Sequence, residues 1–327
     1  MSTLIWDYFI ISYLAASGIF LAMTVKTLKR TWKKDKLPIR RLKIAIATFF
    51  VVSILTLLYG SLVAPRLIQI KNVGINLGKT TNAESVRVVQ ISDLHAGTYK
   101  GEYYWKGVAK KIRALNPDII IMTGDYIYGS EKNAEKLKPV LSLGKIFPTY
   151  AVTGNHEYNL GSSRNADYDH YKDKTATLRR LMLENNVTLL DNEGVIINTA
   201  EGQLSLSGIK EVWTQTATIN DELNRLFLQT TPSMPSILLA HNPEVINYSG
   251  AANFGLILSG HTHGGQIRLP FLGSISPMPD NLGRKYDRGH FDLPTGNQLY
   301  INQGLGEAGP RARLFCPPEI TLLSVNL

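Results

Sequence analysis

The sequence predicts an α/β layered domain with mixed sheets, preceded by a two-helix transmembrane hairpin. Two long apolar segments flank a strongly basic stretch within the first 64 residues. Beyond residue 85, short β-branched runs alternate with apolar residues at helical spacing, and beyond residue 186 the strand-like runs become shorter and follow one another closely. Strands that first alternate with helices and then follow each other are typical of a layered fold with mixed sheets.

The hairpin is predicted from charge and length. Residues 8–25 and 44–64 have no charged side chain over 18 and 21 positions, respectively, and a helix of about 20 apolar residues can cross a bilayer. Between them, residues 26–43 hold nine Lys or Arg residues and one acid, Asp35. Because a short basic loop marks the cytoplasmic side, we expect a multi-pass protein of the cytoplasmic membrane whose larger domain lies on the outer, periplasmic face.

The basic loop also accounts for the net charge. Nine bases and one acid give this loop +8 of the overall +9, so the rest of the chain is almost neutral. Binding of extended nucleic acid needs a basic footprint, and the near-neutral domain argues against such a partner. The single Cys316 excludes an intramolecular disulfide and a Cys-rich zinc motif.

Beyond the hairpin (residues 1–64), we expect a linker or an edge segment over residues 65–84 and the larger domain over residues 85–327. Apolar and β-branched runs predict strands at 86–92, 118–124, 149–154, 236–240, 254–260, 298–302 and 320–325. Apolar residues at helical spacing predict helices around 105–115, 134–141, 178–182 and 223–227. The polar stretch 159–174, which contains His170, is predicted to be a loop.

Residue types that bind metals collect at the ends of five predicted strands. They are Asp93 and His95, Asp125, Asn155 and His156, His241, and His261 and His263. Five of the seven histidines lie at these positions, and only His170 and His290 do not. The carboxyl ends of strands in open α/β sheets are where sites assemble, so we expect these side chains to converge.

The run SGHTHGGQ, residues 259–266, supports a metal site. In an extended segment, alternate side chains point to the same side, so His261 and His263 can face one site. Gly124, Gly154 and Gly260 each precede a predicted ligand. A residue without Cβ lets a strand turn sharply and bring its backbone close to an ion.

The ordered pattern D-x-H, G-D, G-N-H-E, H and G-H-x-H resembles the calcineurin-like metallophosphoesterases over residues 86 to about 325. The runs HTHGGQIRLP and GPRARLFCPPEITLL are similar to a membrane-anchored bacterial branch, some members of which cleave the pyrophosphate of UDP-2,3-diacylglucosamine in lipid A biosynthesis. The resemblance implies two mixed β-sheets packed as a sandwich and flanked by helices. It also implies a dinuclear, metal-dependent hydrolase of phosphoric ester or pyrophosphate bonds.

The resemblance further implies a role for each strand-end residue. One divalent ion would be held by Asp93, His95 and His263, and the second by Asn155, His241 and His261, with Asp125 bridging both. His156 is similar to the histidine of the family that is not a ligand, placed to contact a phosphate oxygen or to protonate the leaving group. The ligand types suit Mn, Fe, Zn or Co.

One position departs from the family pattern. Many relatives have a second acid three residues after the bridging Asp, where it can orient the catalytic histidine, and this chain has Tyr128 there. We therefore expect different surroundings for His156. Arg311 and Arg313 are candidate binders of a substrate phosphate or head group, with Arg268, Arg284 and Arg288 as weaker candidates.

Three functions remain open from the sequence. We expect a membrane-anchored hydrolase of a lipid-linked phosphodiester or pyrophosphate such as UDP-2,3-diacylglucosamine, because tethering raises the effective concentration near the bilayer. The alternative enzyme is a phosphodiesterase acting on soluble nucleotides or nucleic acid. A non-catalytic membrane-bound binding or signalling protein is the alternative of another class, and the complete set of ligand residues argues against it.

Overall fold

A computed structural model of the chain describes residues 3–78, 85–97, 99–161, 172–229, 234–275, 278 and 281–327. Two helices, α1 (Thr3–Thr31) and α2 (Leu37–Leu58), form the N-terminal hairpin. They pack on each other, with Phe20 stacked on Phe50, and expose many large apolar side chains. Both helices are long and apolar enough to cross a membrane.

The larger domain contains two six-stranded sheets in its described part. The first has the spatial order β1 (Gln69–Asn76), β14 (Glu319–Asn326), β2 (Val86–Ile91), β3 (Ile119–Thr123), β4 (Thr149–Val152) and β5 (Val187–Leu189). The second has the order β12 (Gly289–Asp292), β13 (Gln298–Ile301), β9 (Leu256–Ser259), β8 (Ser236–Leu239), β7 (Gly202–Gly208) and β6 (Glu193–Thr199). A ribbon consists of β10 (Arg268–Leu269) and β11 (Gly273–Ser274).

Both sheets are mixed. In the first sheet, β2 to β5 run parallel and β14 runs antiparallel to β2. In the second sheet, β13, β9, β8 and β7 run parallel, with antiparallel strands β12 and β6 at the two edges. The flanking helices are α3 (Glu102–Ala114), α4 (Lys138–Leu141), α5 (Ala176–Glu184) and α6 (Ile219–Leu228).

The alternation of side chains along the strands builds three apolar layers. Val88 and Ile121 of the first sheet belong to one cluster with Ile237 and Leu258 of the second, which is the core between the sheets. The opposite face of the first sheet packs under α3, α4 and α5. The outer face of the second sheet packs under α6. The predicted fold class, two mixed sheets in a sandwich flanked by helices, is confirmed.

One predicted helix differs from the sequence expectation. The helix expected over 134–141 is a 3₁₀ segment, Glu131–Leu137, followed by the single α-turn of α4. Pro139 lies in the first turn of α4, since proline is tolerated there but not inside a helix. Of the loop expected over 159–174, residues 162–171 with His170 lie outside the described residues, as do residues 79–84 of the expected linker.

Part of the expected linker forms an edge strand. β1 pairs in parallel with β14, from Gln69 opposite Glu319 to Asn76 opposite Asn326. Ile75 is buried in the core between the sheets, whereas most other residues of β1 are exposed, as befits a strand with one free edge. Of the linker or edge segment expected over 65–84, residues 69–76 therefore form an edge strand of the first sheet.

The hairpin packs directly against the larger domain. A π-helical turn, Tyr59–Val63, continues α2, and the carbonyl of Gly60 accepts a hydrogen bond of 2.8 Å from the backbone N–H of Arg313. At the start of α1, the Asp7 carboxylate accepts a hydrogen bond of 3.2 Å from the Tyr99 hydroxyl. Both ends of the hairpin that face the domain are therefore tied to it.

Candidate metal centre

The carboxyl ends of β2, β3, β4, β8 and β9 meet at one edge of the sandwich. The structure brings the eight predicted side chains together at this edge: Asp93, His95, Asp125, Asn155, His156, His241, His261 and His263. Seven of them are buried, and the side chain of His156 is 23% exposed. The arrangement is a nearly closed polar cluster with one histidine at its opening.

One group of donor atoms comes from β2 and β9. The Nε2 atoms of His95 and His263 lie 3.0 Å apart, and His263 Nε2 lies 3.4 Å from Oδ1 of Asp93. These three residues offer ligand atoms that all lie within 4.8 Å of one another, a spacing that one cation could serve.

A second group comes from β4, β8 and β9. Nε2 of His241 and Nδ1 of His261 lie 3.2 Å apart, and each lies within 3.1 Å of Oδ1 of Asn155. The Asn155 amide nitrogen donates to the carbonyls of Leu160 and Gly161. That pair of hydrogen bonds fixes the amide orientation and turns its oxygen toward the histidines.

Asp125 lies between the two groups. Its Oδ2 is 3.4 Å from Nε2 of His95 and 3.3 Å from Nε2 of His241. Its Oδ1 accepts a hydrogen bond of 2.9 Å from the backbone N–H of His156. A carboxylate in this position can serve a cation on each side.

The chemistry of these atoms fits bound cations. Burial lowers the pKa of His95, His261 and His263 well below the ordinary value, so their rings are neutral as ligands must be. Three buried ring nitrogens have no hydrogen-bond partner within the described part of the chain: Nδ1 of His95, Nε2 of His261 and Nδ1 of His263. These are the ring nitrogens opposite those that meet in the two groups, where Nε2 of His95 faces Nε2 of His263 and Nδ1 of His261 faces Nε2 of His241. The close spacing of those facing donor atoms is what suits a bound cation.

The acids point to the same conclusion. Burial raises the pKa of Asp93 to about 7, which is the response of a carboxylate that lacks a strong cationic partner. Among the described residues, Asp93 and Asp125 form ion pairs with histidines only. Burial opposes ionisation of Asp125, but the charges of His241 and His156 outweigh it and lower its pKa. Burial lowers the pKa of His241, but the carboxylates of Asp125, Asp93 and Glu211 together outweigh it and raise this pKa well above its ordinary value. A bound metal ion would take the place of the proton.

The backbone of the site is strained. Five of the ligand residues have positive φ: Asp93 at 48°, His95 at 44°, Asp125 at 55°, His261 at 70° and His263 at 52°. Such conformations are uncommon for residues other than glycine and cluster at functional sites. Neighbouring chain segments hold them, since the N–H groups of Asp93 and His95 donate to the carbonyls of Gly124 and Asp125.

Two of the glycines noted in the sequence make room for ligands. A Cβ on Gly260 would run into Asp93 Oδ2 and Ser92 Oγ, and a Cβ on Gly154 would run into Asp125 Oδ1. The backbone of each therefore passes within contact distance of a ligand carboxylate. The sequence reasoning connected these glycines to an ion, and the structure connects them to the carboxylates that would hold it.

Sequence reasoning missed Glu157. Its buried carboxylate accepts hydrogen bonds from the N–H groups of Asp125 at 3.0 Å, Tyr126 at 2.9 Å and Gly154 at 2.9 Å, and burial raises its pKa to about 8. It thereby joins the turns after β3 and β4. The Gly154-x-x-Glu157 spacing, an acid three residues after a cap position, was the available signal.

His156 has an aromatic neighbour where relatives have an acid. The ring of Tyr128 stacks on His156 with centroids 5.4 Å apart and planes at 27°. His156 Nε2 lies 4.0 Å from Oδ2 of Asp125. Tyr128 therefore orients His156 by ring contact rather than by a charged hydrogen bond.

The two arginines named as candidate substrate binders have other contacts. Arg313 is fully buried, and its guanidinium donates to backbone carbonyls of residues 303, 304, 306 and 316 and pairs with Glu307. Contrary to the prediction, it cannot contact a substrate, because all of its guanidinium nitrogens donate to partners within residues 303–316. Arg311 lies over the ring of Tyr99 and 3.8 Å from Asp7, at the junction with α1.

The comparisons with known proteins agree with this geometry. The sequence model of the calcineurin-like phosphoesterase family matches residues 86–265. UDP-2,3-diacylglucosamine pyrophosphatase LpxG of Chlamydia trachomatis is 29% identical over 318 residues, covering 85% of this chain and 95% of the relative. The metallophosphoesterase YkuE of Bacillus subtilis is 30% identical, covering 74% and 80%. Phosphodiesterase YaeI of Escherichia coli is 27% identical, covering 75% and 83%.

Proposed function

Because the chain belongs to the calcineurin-like phosphoesterase family and is a metal-dependent hydrolase, we propose that it cleaves a phosphodiester or pyrophosphate bond in a lipid-linked substrate such as UDP-2,3-diacylglucosamine. The observation that carries this substrate class is the packing of two apolar helices directly on the domain that holds the metal centre. The similarity to LpxG, which extends over 95% of that relative, supports the same class.

We infer two divalent ions at the centre, of Mn, Fe, Zn or Co. The first is held by Asp93, His95 and His263, the second by Asn155, His241 and His261, and Asp125 lies between them. When bound, such a pair of ions supplies Lewis-acid stabilisation of phosphoryl oxygens and acidifies water near neutral pH. The two groups of closely spaced donor atoms support this assignment.

The residues of the chain do the rest of the chemistry. His156, at the opening of the site, is placed to donate a proton from Nε2 to the leaving oxygen. Asp125 fixes the backbone of His156 through Oδ1, and Tyr128 fixes its ring. Glu157 keeps the turns that carry Asp125 and His156 in register.

The membrane placement is also part of the proposal. With the basic loop 26–43 on the cytoplasmic side, both helices cross the cytoplasmic membrane and the catalytic domain lies on its outer face. The substrate then reaches the enzyme from the outer leaflet. A phosphodiesterase acting on soluble nucleotides, the alternative, needs no such attachment.

The experiment compares substrates on the full chain reconstituted in lipid nanodiscs with Mn²⁺. The panel contains UDP-2,3-diacylglucosamine, bis-p-nitrophenyl phosphate, a phosphomonoester and a single-stranded oligonucleotide. We expect the diphospho-lipid to have the highest kcat/KM. Asp125→Asn abolishes turnover, whereas Asp118→Asn, an exposed acid at the other end of β3, leaves it unchanged.

The possible results distinguish a lipid-linked substrate from a soluble one, and an enzyme from a non-catalytic protein. Turnover of the soluble diester but not of the diphospho-lipid would overturn the lipid-linked substrate and favour the soluble alternative. Absence of turnover on every compound with metal bound would overturn the catalytic function itself.

A further inference from the structure

An apolar cavity of about 330 Å³ lies between the hairpin and the catalytic domain. This volume is at the lower end of the ~300–1,000 Å³ typical of ligand pockets. The hairpin and the domain both line it, with Tyr13, Phe49, Val52, Leu57, Ile267 and Leu314 among the lining residues.

We propose that this junction cavity binds an acyl chain of the phosphoester substrate. The inference rests on the proposed function, since it assumes a lipid-linked substrate, and it adds where on the molecule the apolar part of that substrate is held. We refer to the site below as the junction cavity.

The junction cavity borders the exposed apolar surface of the hairpin. Phe49 and Val52, which line it, are 62% and 55% exposed on the surface of α2. That surface is continuous with the other exposed apolar side chains of both helices. An acyl chain in the surrounding bilayer could therefore enter the cavity sideways without crossing water.

A short covalent path joins the junction cavity to the metal centre. Ile267 lies four residues after His263 and forms a β-bridge with Leu314, which also lines the cavity. Two residues beyond Leu314, the Cys316 thiol donates to the backbone carbonyl of His263 at 3.3 Å. The wall of the cavity and the back of the metal centre are therefore parts of one packed loop pair.

An exposed apolar ribbon tip follows the cavity wall in the chain. Immediately after Ile267, the ribbon of β10 and β11 turns through Phe271 and Leu272, which are 107% and 70% exposed. Exposed large apolar side chains that gather at one place mark contact with membrane or protein. A ribbon tip in the bilayer interface would hold the cavity opening at the depth of the acyl chains.

We expect the junction cavity to act by positioning the substrate. An acyl chain that leaves the bilayer for the cavity exchanges one apolar environment for another and gains little from burial itself. Holding the chain in one place, however, sets where the phosphate group lies relative to His156. Misplacement of a substrate by about 1 Å can cost ~100-fold in rate.

Two adjacent residues of α2 allow a matched test. Val52 lines the junction cavity, and Val51 does not, although both are exposed on the same helix at 55% and 41%. Val52→Trp fills the cavity, and Val51→Trp adds the same bulk toward lipid. Each variant is assayed in nanodiscs with UDP-2,3-diacylglucosamine of short and long acyl chains and with bis-p-nitrophenyl phosphate.

We expect Val52→Trp to lower kcat/KM on the long-chain substrate by about 10- to 100-fold, with Val51→Trp near wild type and the soluble diester hydrolysed equally by all three proteins. Equal long-chain rates in both variants would overturn the proposal and would mean that bulk phospholipid fills the cavity or that nothing does. A loss by Val52→Trp on the soluble diester as well would also overturn it. Failure of the wild type on the soluble diester would instead contradict the phosphoesterase function.

Discussion

The Nε2 atoms of His95 and His263 lie 3.0 Å apart, although 168 residues separate the two histidines in the chain. Burial lowers the pKa of both rings, so two neutral rings meet with their nitrogens facing each other. A single proton can bridge two ring nitrogens at this distance, and a metal ion can take its place; His241 and His261 meet in the same way at 3.2 Å. We therefore expect metal binding to contribute to the stability of the fold.

Chelation should weaken the folded state. A ligand that binds only the native chain stabilises it by RT ln(1 + [L]/Kd), about 2.7 kcal/mol at a concentration of 100 Kd. We expect EDTA to lower the midpoint of chemical unfolding and Mn²⁺ to restore it. The same experiment on His263→Gln should show a smaller response, and on the exposed His290→Gln the full response. An unfolding curve that EDTA does not move would contradict a metal centre.

His156 should affect the rate and not the metal content. Its Nε2 lies 4.0 Å from Asp125 at the opening of the site, and positioned proton donors contribute about 10²- to 10⁴-fold. We expect His156→Gln to lower kcat within this range on a substrate with a poor leaving group, and less on a p-nitrophenyl ester. Metal analysis of the variant should match the wild type. Loss of metal in this variant would reassign His156 as a ligand.

Glu157 should act through the ligands that it positions. Its carboxylate accepts from the backbone of Asp125 and Gly154, and removal of such supporting contacts commonly costs about 10- to 100-fold in metal affinity. We expect Glu157→Gln to weaken Mn²⁺ binding by this factor, measured by titration, with the exposed Glu193→Gln as the control. If saturating Mn²⁺ restores kcat, the role is positioning; a kcat that stays low at saturation speaks against it.

We expect Lys100 to make the free energy of unfolding depend on pH in the alkaline range. It is buried beside Glu307 at 2.6 Å, and burial lowers its pKa to about 8, whereas the unfolded value is about 10.4. Between these values the unfolded chain binds more protons, so the contribution of Lys100 to stability rises with pH. We expect the free energy of unfolding of the wild type, relative to that of Lys100→Met, to be larger at pH 10 than at pH 7. Chemical unfolding of both proteins at the two pH values measures this difference. Arg313 remains paired with Glu307 in the variant, and a constant difference would contradict the shift.

Much of the site was predictable because the ends of the strands can be recognised in the sequence. The buried runs before Asp93, Asp125 and His241 could be recognised from apolar composition alone, and parallel strands bring their carboxyl ends to one edge. The resemblance then assigned roles that residue types alone left open. This is local information, carried within a few residues of each ligand.

The features that escaped prediction depend on contacts distant in sequence. The sequence left residues 65–84 open between a linker and an edge segment, because the pairing of β1 with β14 joins residues about 250 positions apart. Arg313 was taken for a substrate residue, because nothing near it in the sequence shows that Glu307 and four carbonyls surround it. The junction cavity requires the hairpin and the domain together, so neither part of the sequence indicates it.

Gly260 tests how tightly the backbone must approach the ligands. A Cβ there would overlap Asp93 Oδ2 and Ser92 Oγ, and neither can retreat, since Asp93 accepts from the N–H of His261 and Ser92 donates to the carbonyl of Thr123. We expect Gly260→Ala to lower Mn²⁺ affinity and the unfolding midpoint together. Gly107→Ala in α3, where a Cβ meets nothing within 4 Å, should instead stabilise the protein by about 0.5–1 kcal/mol. Normal metal binding by Gly260→Ala would mean that β9 can move away from the metal centre. The close approach of Gly260 would then not be what holds Asp93 in position.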